Sequence, residues 1–348
     1  MALPLNLVAR TQGPQVSRSW AYAKKKTLVP FLTWRRPLHT AQQRRHSLPS
    51  VDIAKPCPEG NSDIQAFQQT AFIPEKPLLF PRGAGSPANH LTASSFIVPL
   101  PFREDVKWPF PYELIRGPRE QDLISSFRDF LWDSDDRTDR DMADMLRSAV
   151  NESPDLDFYQ LYAPYQLLVK ALEFNLARDA AVRDPLQLYI AQCPLSDLPL
   201  SLQEKLTAPE LVMRAGKGDI YSSSIWLGTE PTYTPLHRDP NPNLFCQMWR
   251  QKVVRLLPPS TGDRVFFEVQ QQIQQQGNSR IRTAEMMQGK ERLALHDAIW
   301  ENDAPPDSMC EAELDAGDAL FIPEGWWHSV KSMESDGLLN VSVNWWFR

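Results

Sequence analysis

The spacing of apolar residues along the chain changes near residue 186. Before that point, leucine and phenylalanine recur every three or four positions in residues 119–132 and 165–177, which predicts two amphipathic helices. After it, short alternating runs predict strands at 188–192, 224–228, 252–257, 319–323 and 338–347. We therefore expect a mainly β domain with flanking helices.

The last predicted strand has two faces of different character. One face carries only apolar residues, and the other carries Asn340, Ser342, Asn344 and Trp346. A polar face opposite an apolar one usually meets solvent. Here it could instead line a wet barrel interior that holds a ligand.

Composition and periodicity divide the chain into three segments. Residues 1–60 lack sustained periodicity and are expected to be a disordered leader. Residues 61–185 are predicted to form an extended and helical segment that packs on the barrel. Within it we expect residues 71–80 to be extended and a short strand near 95–100. Residues 186–348 form the predicted barrel core, interrupted by a partly helical insertion at about 262–310 that could cap the substrate mouth.

Charge is distributed unevenly between the leader and the rest. Nine basic residues and no acidic ones lie in residues 1–51, and the remainder holds 28 basic against 43 acidic residues. This is typical of a mitochondrial transit peptide, so we expect the mitochondrial matrix; the alternative is a disordered basic tail. An acidic body makes nucleic acid an unexpected partner.

The cysteines and the apolar runs restrict the compartment further. The four cysteines are scattered and form no CxxC pair, which favours a reducing compartment over a disulfide framework or a zinc ribbon. No apolar run approaches the roughly 18 residues that cross a bilayer, so we expect no membrane partner.

Two distant stretches carry candidate chemistry. Residues 234–243 contain His237 and Asp239, whose spacing puts both side chains on one face of a strand. His328 follows about ninety residues later. Two imidazoles and one carboxylate form the facial triad of non-haem Fe(II) sites. Taken singly, His237 could be a surface residue in a proline-rich turn, and His328 could simply pack on its neighbouring tryptophans.

A longer pattern surrounds these residues. It runs T-P-x-H-x-D-x-x-x-N-x-x-x-Q over 234–247, then Lys252, a double proline at 258–259, G-D-x-L-x-I-P-x-x-W-W-H over 317–328 and V-N-x-W over 343–346. This pattern resembles the JmjC-type Fe(II)/2-oxoglutarate oxygenases. It is most similar to the cupin-like hydroxylases that include the asparaginyl hydroxylase factor inhibiting HIF. The resemblance covers roughly residues 70–348.

The resemblance implies a fold and a set of ligands. The fold would be a double-stranded β-helix, a jelly roll of the cupin/JmjC type. Fe(II) would be bound by His237, Asp239 and His328, with 2-oxoglutarate and O2 as co-substrates. The 2-oxoglutarate would meet Lys252 through its distal carboxylate, with further contacts from Thr234, Tyr189, Asn243 and Asn344.

Lys252 has a physical reason to meet an anion. It opens an apolar strand, and a buried ammonium is costly unless an anion accompanies it. A carboxylate co-substrate would remove that cost. The alternative is an exposed lysine at a strand end.

The implied activity is a dioxygenase that hydroxylates a protein side chain or a small molecule and releases succinate and CO2. The alternatives are a JmjC-like binding or regulatory module without turnover, a cupin that uses Zn or Mn for isomerase or hydrolase chemistry, and a tRNA-base hydroxylase. Histone demethylation is less expected because the chain has no accessory reader domain.

Two features depart from the family pattern. The chain ends at Arg348, directly after the last predicted strand, so the helices through which some relatives dimerise are absent and the oligomeric state stays open. Ala191 stands where the asparaginyl hydroxylase has a substrate-contacting glutamine, two residues after the tyrosine. We therefore expect a different substrate.

Overall fold

The computed structural model describes residues 48–55, 62–83, 85–89, 91, 107–115, 121–152, 158–178, 184–274 and 289–348. Most of the predicted leader and the predicted strand near 95–100 lie outside the described residues. None of the helices in these ranges is long and apolar enough to cross a bilayer.

The described residues contain thirteen strands. In chain order they are β1 (Asp52–Ile53), β2 (Leu78–Phe80), β3 (Pro109–Ile115), β4 (Phe158–Pro164), β5 (Leu188–Pro194), β6 (Ile220–Thr229), β7 (Tyr233–Arg238), β8 (Asn243–Trp249), β9 (Lys252–Leu257), β10 (Cys310–Leu314), β11 (Ala319–Ile322), β12 (Trp327–Ser332) and β13 (Leu339–Phe347).

The helices flank the strands. They are α1 (Ile64–Phe67), α2 (Gln121–Trp132), α3 (Arg137–Glu152), α4 (Gln166–Ala177), α5 (Leu200–Gln203), α6 (Glu210–Arg214), α7 (Pro259–Ile273) and α8 (Gly289–His296). Two π-helical turns, at Gln68–Phe72 and Asp297–Glu301, continue α1 and α8. The sequence-based expectation of a mainly β fold with flanking helices is confirmed.

The strands form two sheets. The large sheet has the order β1-β2-β11-β8-β13-β6-β5-β3-β4, and the small sheet has the order β10-β9-β12-β7. Every pair is antiparallel except β1 with β2. Apolar side chains from both sheets, such as Phe245 and Leu320 from one and Val254 and Leu256 from the other, pack in one cluster between them. This is the predicted jelly roll.

The polar face of β13 lies in the interior. Val341, Val343 and Trp345 join the apolar cluster that the large sheet shares with α2, α3 and α4. The opposite face carries Asn340, Ser342, Asn344 and Trp346, and all four are buried. Of the two alternatives for this face, solvent or the barrel interior, the structure shows the barrel interior.

The described parts of the 262–310 insertion pack on the small sheet. Phe266 of α7 and Leu295 of α8 belong to one apolar cluster with Leu236, Leu257 and Trp327, which point outward from the small sheet. These helices thus cover the outer face of the small sheet. Residues 275–288 lie outside the described ranges.

The segment at 48–55 differs from the expectation of a disordered leader. β1 pairs with β2 in the large sheet, while the Val51 amide and the Pro49 carbonyl bond to Glu311 of β10 in the small sheet. Val51 is buried. This short run of alternating apolar residues therefore joins the two sheets.

Two further elements differ from the sequence-based expectations. The segment predicted as extended, 71–80, is extended only at its end, in β2; residues 71–72 belong to the helical turn Gln68–Phe72. Phe67 and Ala71 lie four positions apart and both face the core, where Phe67 meets Phe321 edge-on at 4.8 Å. The helix α3 was not predicted, because its sequence is rich in charge and buries only a narrow stripe that includes Met142 and Leu146.

Candidate metal and co-substrate site

The three predicted metal ligands lie on two neighbouring strands of the small sheet. His237 is near the end of β7, Asp239 follows that strand directly, and His328 is on β12. His328 is the register partner of His237, so both rings project from the same face, with centroids 4.1 Å apart. All three side chains are buried.

Backbone contacts fix the orientation of both imidazole rings. His237 Nδ1 lies 2.8 Å from the Pro235 carbonyl oxygen, and His328 Nδ1 lies 3.2 Å from that of Trp326. A carbonyl only accepts hydrogen bonds, so each Nδ1 carries the proton and each Nε2 offers a lone pair. Burial and the adjacent His328 ring lower the pKa of His237, which keeps it in the neutral, metal-binding form.

The ligand atoms are spaced for an ion. His328 Nε2 lies 3.6 Å from Asp239 Oδ2, and His237 Nε2 lies 4.0 Å from Asp239 Oδ1. These separations are too long for hydrogen bonds. One ion between the three side chains would reach all of them, since the potential ligand atoms lie within 4.8 Å of one another.

Asn243 supports the metal ligands. Its Nδ2 donates a hydrogen bond of 3.0 Å to Asp239 Oδ2, which orients the carboxylate. Its Oδ1 and the indole nitrogen of Trp346, on neighbouring strands in register, are buried without hydrogen-bond partners in the described part of the chain. Such buried polar atoms fit an interior that receives a polar ligand.

Lys252 is buried in the same interior. Only 2% of its surface is exposed, and its Nζ donates a hydrogen bond of 2.8 Å to Ser342 Oγ on the large sheet. No described carboxylate forms an ion pair with it. Burial lowers the pKa of Lys252 to about 7, and the negative charge of Glu230 partly opposes this shift. Two N–H groups of the ammonium remain for an anion.

Tyr189 and Thr234 lie beside this lysine. The Lys252 ammonium is 5.9 Å from the centre of the Tyr189 ring, and the Thr234 side chain is within hydrogen-bond reach of the tyrosine. Tyr189 lies flat against Gly228, where an added Cβ would be 2.2 Å from its ring. Asn344 Oδ1 accepts a hydrogen bond of 2.8 Å from the Trp226 indole. All the predicted co-substrate residues therefore face one interior.

Sequence comparison places this architecture in a family. Residues 120–348, more than half of the chain, match the profile of the cupin-like domain family. The chain belongs to the cupin-like domain family. The sequence-based prediction of a JmjC-type, cupin-like chain is confirmed.

The cupin-like chain has curated relatives of the JmjC type. It is 29% identical over 162 residues to lysine-specific demethylase JMJ30 of Arabidopsis thaliana, covering 46% of this chain and 33% of that protein. It is 28% identical over 160 residues to lysine-specific demethylase 8 of Danio rerio, covering 46% and 36%. The chain thus spans about a third of the length of these relatives.

The family determines which cofactors the site should suit. JmjC enzymes use Fe(II) and 2-oxoglutarate with O2, and the His-Asp-His group of this cupin-like chain could hold the metal. The residues fit both groups: two neutral imidazoles and a carboxylate for the ion, and a buried ammonium without an anion for the co-substrate.

Sequence reasoning missed several interior residues of the cupin-like barrel. Ser342, the partner of Lys252, and Trp226, the partner of Asn344, were not predicted as site residues. The signal for Ser342 was its position on the polar face of β13, two residues before Asn344. Trp226 gave no local signal, because its role depends on the pairing of β6 with β13.

A cavity of about 380 Å³ opens beside the site. We call it the β3–β5 cavity, because these strands, which extend the large sheet, supply most of its wall. The described residues that line it include Tyr112, Gln160, Ala191, Cys193, Trp226 and Thr234. Thr234 and Trp226 also contact the predicted co-substrate residues, so the cavity connects the barrel interior with the outside of this cupin-like domain.

Proposed function

We propose that the chain is an Fe(II)- and 2-oxoglutarate-dependent hydroxylase that acts on a protein side chain. The observation that carries the proposal is Lys252, a buried ammonium without an anion in the same interior as the His-Asp-His triad. The metal, with 2-oxoglutarate and O2, supplies the oxidising power, and the co-substrate leaves as succinate and CO2.

The triad and its supports hold the metal. His237 and His328 offer Nε2 because their Nδ1–H groups are engaged by backbone carbonyls. Asp239 offers a carboxylate oriented by Asn243. Because three protein ligands leave other coordination positions free, the co-substrate can bind directly at the same metal.

Lys252 and its neighbours orient the co-substrate. The ammonium keeps one hydrogen bond to Ser342 and gives its remaining donors to the distal carboxylate of 2-oxoglutarate. Thr234 and Tyr189 donate to the same carboxylate, and Asn344, fixed by Trp226, borders the pocket. The apolar cluster between the sheets excludes water from this region.

A protein substrate is supported by the relatives and by the cavity. Two relatives are named lysine-specific demethylases, and the β3–β5 cavity has room for an amino-acid side chain. The complete triad argues against a binding module without turnover. The excess of acidic residues after the leader argues against a tRNA substrate.

The test is succinate release by the full chain, loaded anaerobically with Fe(II) and then given 2-oxoglutarate and O2. We expect slow turnover without substrate, lost in His237→Ala and retained in His296→Ala, which removes an imidazole from α8 outside the barrel. Anaerobic Mn(II) and 2-oxoglutarate should raise the thermal unfolding midpoint. Absence of both turnover and stabilisation would refute the proposal and favour a binding module.

A further inference from the structure

A second polar group lies in the barrel interior beyond Lys252. The buried polar face of β13 begins at Asn340 and ends at Trp346, the register partner of the residue that orients the Asp239 carboxylate. Between these ends, Ser342 accepts the hydrogen bond from Lys252. Asn340 donates a hydrogen bond of 2.7 Å to Glu230 Oε1. Along this row, Lys252 therefore lies between the predicted metal site and the carboxylate that Asn340 contacts.

Glu230 is a buried carboxylate that pairs with an arginine. Its exposed fraction is 0%, and its Oε2 lies 2.9 Å from Arg250 Nε. Arg250 donates a second contact of 2.7 Å to Asp336, which is partly exposed. Burial raises the pKa of Glu230 to about 7, opposed by the hydrogen bond from Asn340 and by the charge of Arg250. Above this pH the interior holds a negative charge that the predicted metal and co-substrate contacts do not use.

The backbone at Arg250 is in the left-handed region, with a φ of 61°. Glycine adopts this conformation freely, whereas a residue with a Cβ is strained in it. Arg250 and Gln251 form the turn between β8 and β9, and Lys252 is the first residue of β9. Asn340 also donates a hydrogen bond of 3.1 Å to the Gln251 carbonyl. Glu230 therefore holds the turn that leads into Lys252, through the guanidinium and through Asn340.

The charge of Glu230 also acts on Lys252. It opposes the effect of burial on the pKa of the lysine, although no ion pair joins these two side chains. From other strands, the rings of Tyr189 and Phe245 face the ammonium at 5.9 Å and 5.5 Å, and β13 presents the neutral Ser342. Burial raises the pKa of Tyr189 well above its ordinary value, so its hydroxyl stays neutral. The charge that favours the ammonium therefore comes from Glu230.

We propose that the buried pair of Glu230 and Arg250 positions Lys252 for the co-substrate and keeps its ammonium charged. The pair fixes the turn before Lys252 and supplies a carboxylate at the end of the β13 row that is remote from the metal site. Because Lys252 lies between, the carboxylate acts more strongly on the ammonium than on a ligand bound at the metal. This inference rests on the proposed function and adds two positioning residues to it.

The first test follows the charge of Lys252 in the full chain without metal or co-substrate. Lysine labelled with carbon-13 at Cε is titrated by NMR, and the Lys252→Met spectrum identifies the signal. Glu230→Gln retains the shape of the side chain and an acceptor for Asn340, but it removes the charge. We expect it to lower the titration midpoint of Lys252 by about one pH unit.

Two variants separate charge from structure in this titration. Glu230→Asp keeps the carboxylate and should retain most of the wild-type midpoint, and Glu204→Gln, at an exposed position, should retain all of it. Equal midpoints in the wild type and Glu230→Gln would overturn the proposal. Equal shifts in Glu230→Gln and Glu230→Asp would also overturn it, because a purely structural role does not depend on the charge.

Binding of 2-oxoglutarate, measured anaerobically by calorimetry with Mn(II), tests the consequence. Near pH 6 the wild-type Glu230 is protonated, so the wild type and Glu230→Gln should bind equally. Near pH 8.5 the wild-type carboxylate is ionised, and Glu230→Gln should bind about tenfold more weakly, because a midpoint lowered by one unit leaves about tenfold less ammonium. Binding weakened by the same factor at both pH values would indicate a structural defect and overturn the proposal.

The two measurements distinguish this inference from the proposed function. A lowered Lys252 midpoint in Glu230→Gln, with no 2-oxoglutarate binding by the wild type, would support the action of Glu230 on Lys252 and count against the hydroxylase. An unchanged midpoint, with normal 2-oxoglutarate binding and succinate release, would overturn the inference alone.

Discussion

Lys252 carries its charge where the described part of the chain supplies one hydrogen-bond acceptor, the Ser342 hydroxyl. Burial lowers its pKa from 10.5 to about 7, so the folded protein holds this proton less tightly than the unfolded chain does. The folded state is thereby destabilised below pH 10.5, and the full effect is present below about pH 7. The residue that binds the co-substrate in our proposal lowers stability when the site is empty.

Lys252→Met should therefore stabilise the protein while abolishing 2-oxoglutarate binding. The pKa shift corresponds to a destabilisation of the folded state by about 5 kcal/mol near pH 6. Near pH 9, where the lysine is already neutral in the folded state, the destabilisation is about 2 kcal/mol. Denaturant unfolding at the two pH values measures the gain in the free energy of unfolding, and calorimetric titration measures 2-oxoglutarate binding. Lys205→Met, at an exposed position, is the control and should change neither. A Lys252→Met variant that is less stable than the wild type and still binds 2-oxoglutarate would contradict this account.

At the scale of elements, α7 is joined to the small sheet by a close approach. A Cβ on Gly262 would lie 2.1 Å from the Trp327 ring, and Trp327 also packs against Phe266 with ring centroids 4.9 Å apart and the planes tilted by 34°. Its indole donates a hydrogen bond of 3.1 Å to Asp263. Trp327 directly precedes His328 on β12. The position of α7 on the sheet and the position of His328, a predicted metal ligand, therefore depend on one another.

Gly262→Ala should displace Trp327 and disturb His328. Overpacking of this kind costs about 1–3 kcal/mol of stability. We also expect weaker Mn(II) binding, measured by calorimetry on the same samples as the denaturant unfolding. Gln272→Ala, on the exposed side of α7, is the matched control. If Gly262→Ala unfolds at the wild-type denaturant concentration, the close approach does not constrain the sheet.

Elements were predictable from the sequence where local pattern decides them. The run 252–257 alternates and ends at a double proline, and β9 has those bounds. The proximity of His237, Asp239 and His328 was also predictable, because a long pattern of fixed spacing surrounds them. The antiparallel pair of β3 and β4 was not predicted. Pro109, Pro111 and Pro164 obscure its strand character, and α2 and α3 separate the two strands along the chain.

At the scale of the whole molecule, the segment 48–55 joins the two sheets at the edge of the barrel. It adds β1 to the large sheet and bonds to Glu311 of the small sheet. The two sheets carry complementary parts of the site: the metal ligands and Lys252 are on the small sheet or directly after it, and Tyr189 and Ser342 are on the large one. Separation of the sheets would therefore separate Lys252 from Ser342.

Truncation tests the contribution of this segment. A chain that starts at residue 48 should unfold at the temperature of the full chain. A chain that starts at residue 56 should lose about 3 kcal/mol of the free energy of unfolding, because the apolar surface that Val51 covers becomes exposed and the hydrogen bonds of the segment to the sheets are lost. Thermal unfolding with and without 2-oxoglutarate measures the loss. Equal midpoints for the two truncated chains would mean that the segment does not hold the sheets together.

The walls of the β3–β5 cavity and the metal ligands belong to different parts of the fold. The cavity is built mainly by strands at one end of the large sheet, whereas the predicted metal ligands lie on or directly after β7 and β12 of the small sheet. Changes in β3 and β4 can therefore alter the shape of the cavity without moving a predicted ligand. Mutations in these two strands could thus change the substrate in the course of evolution while the reaction is conserved.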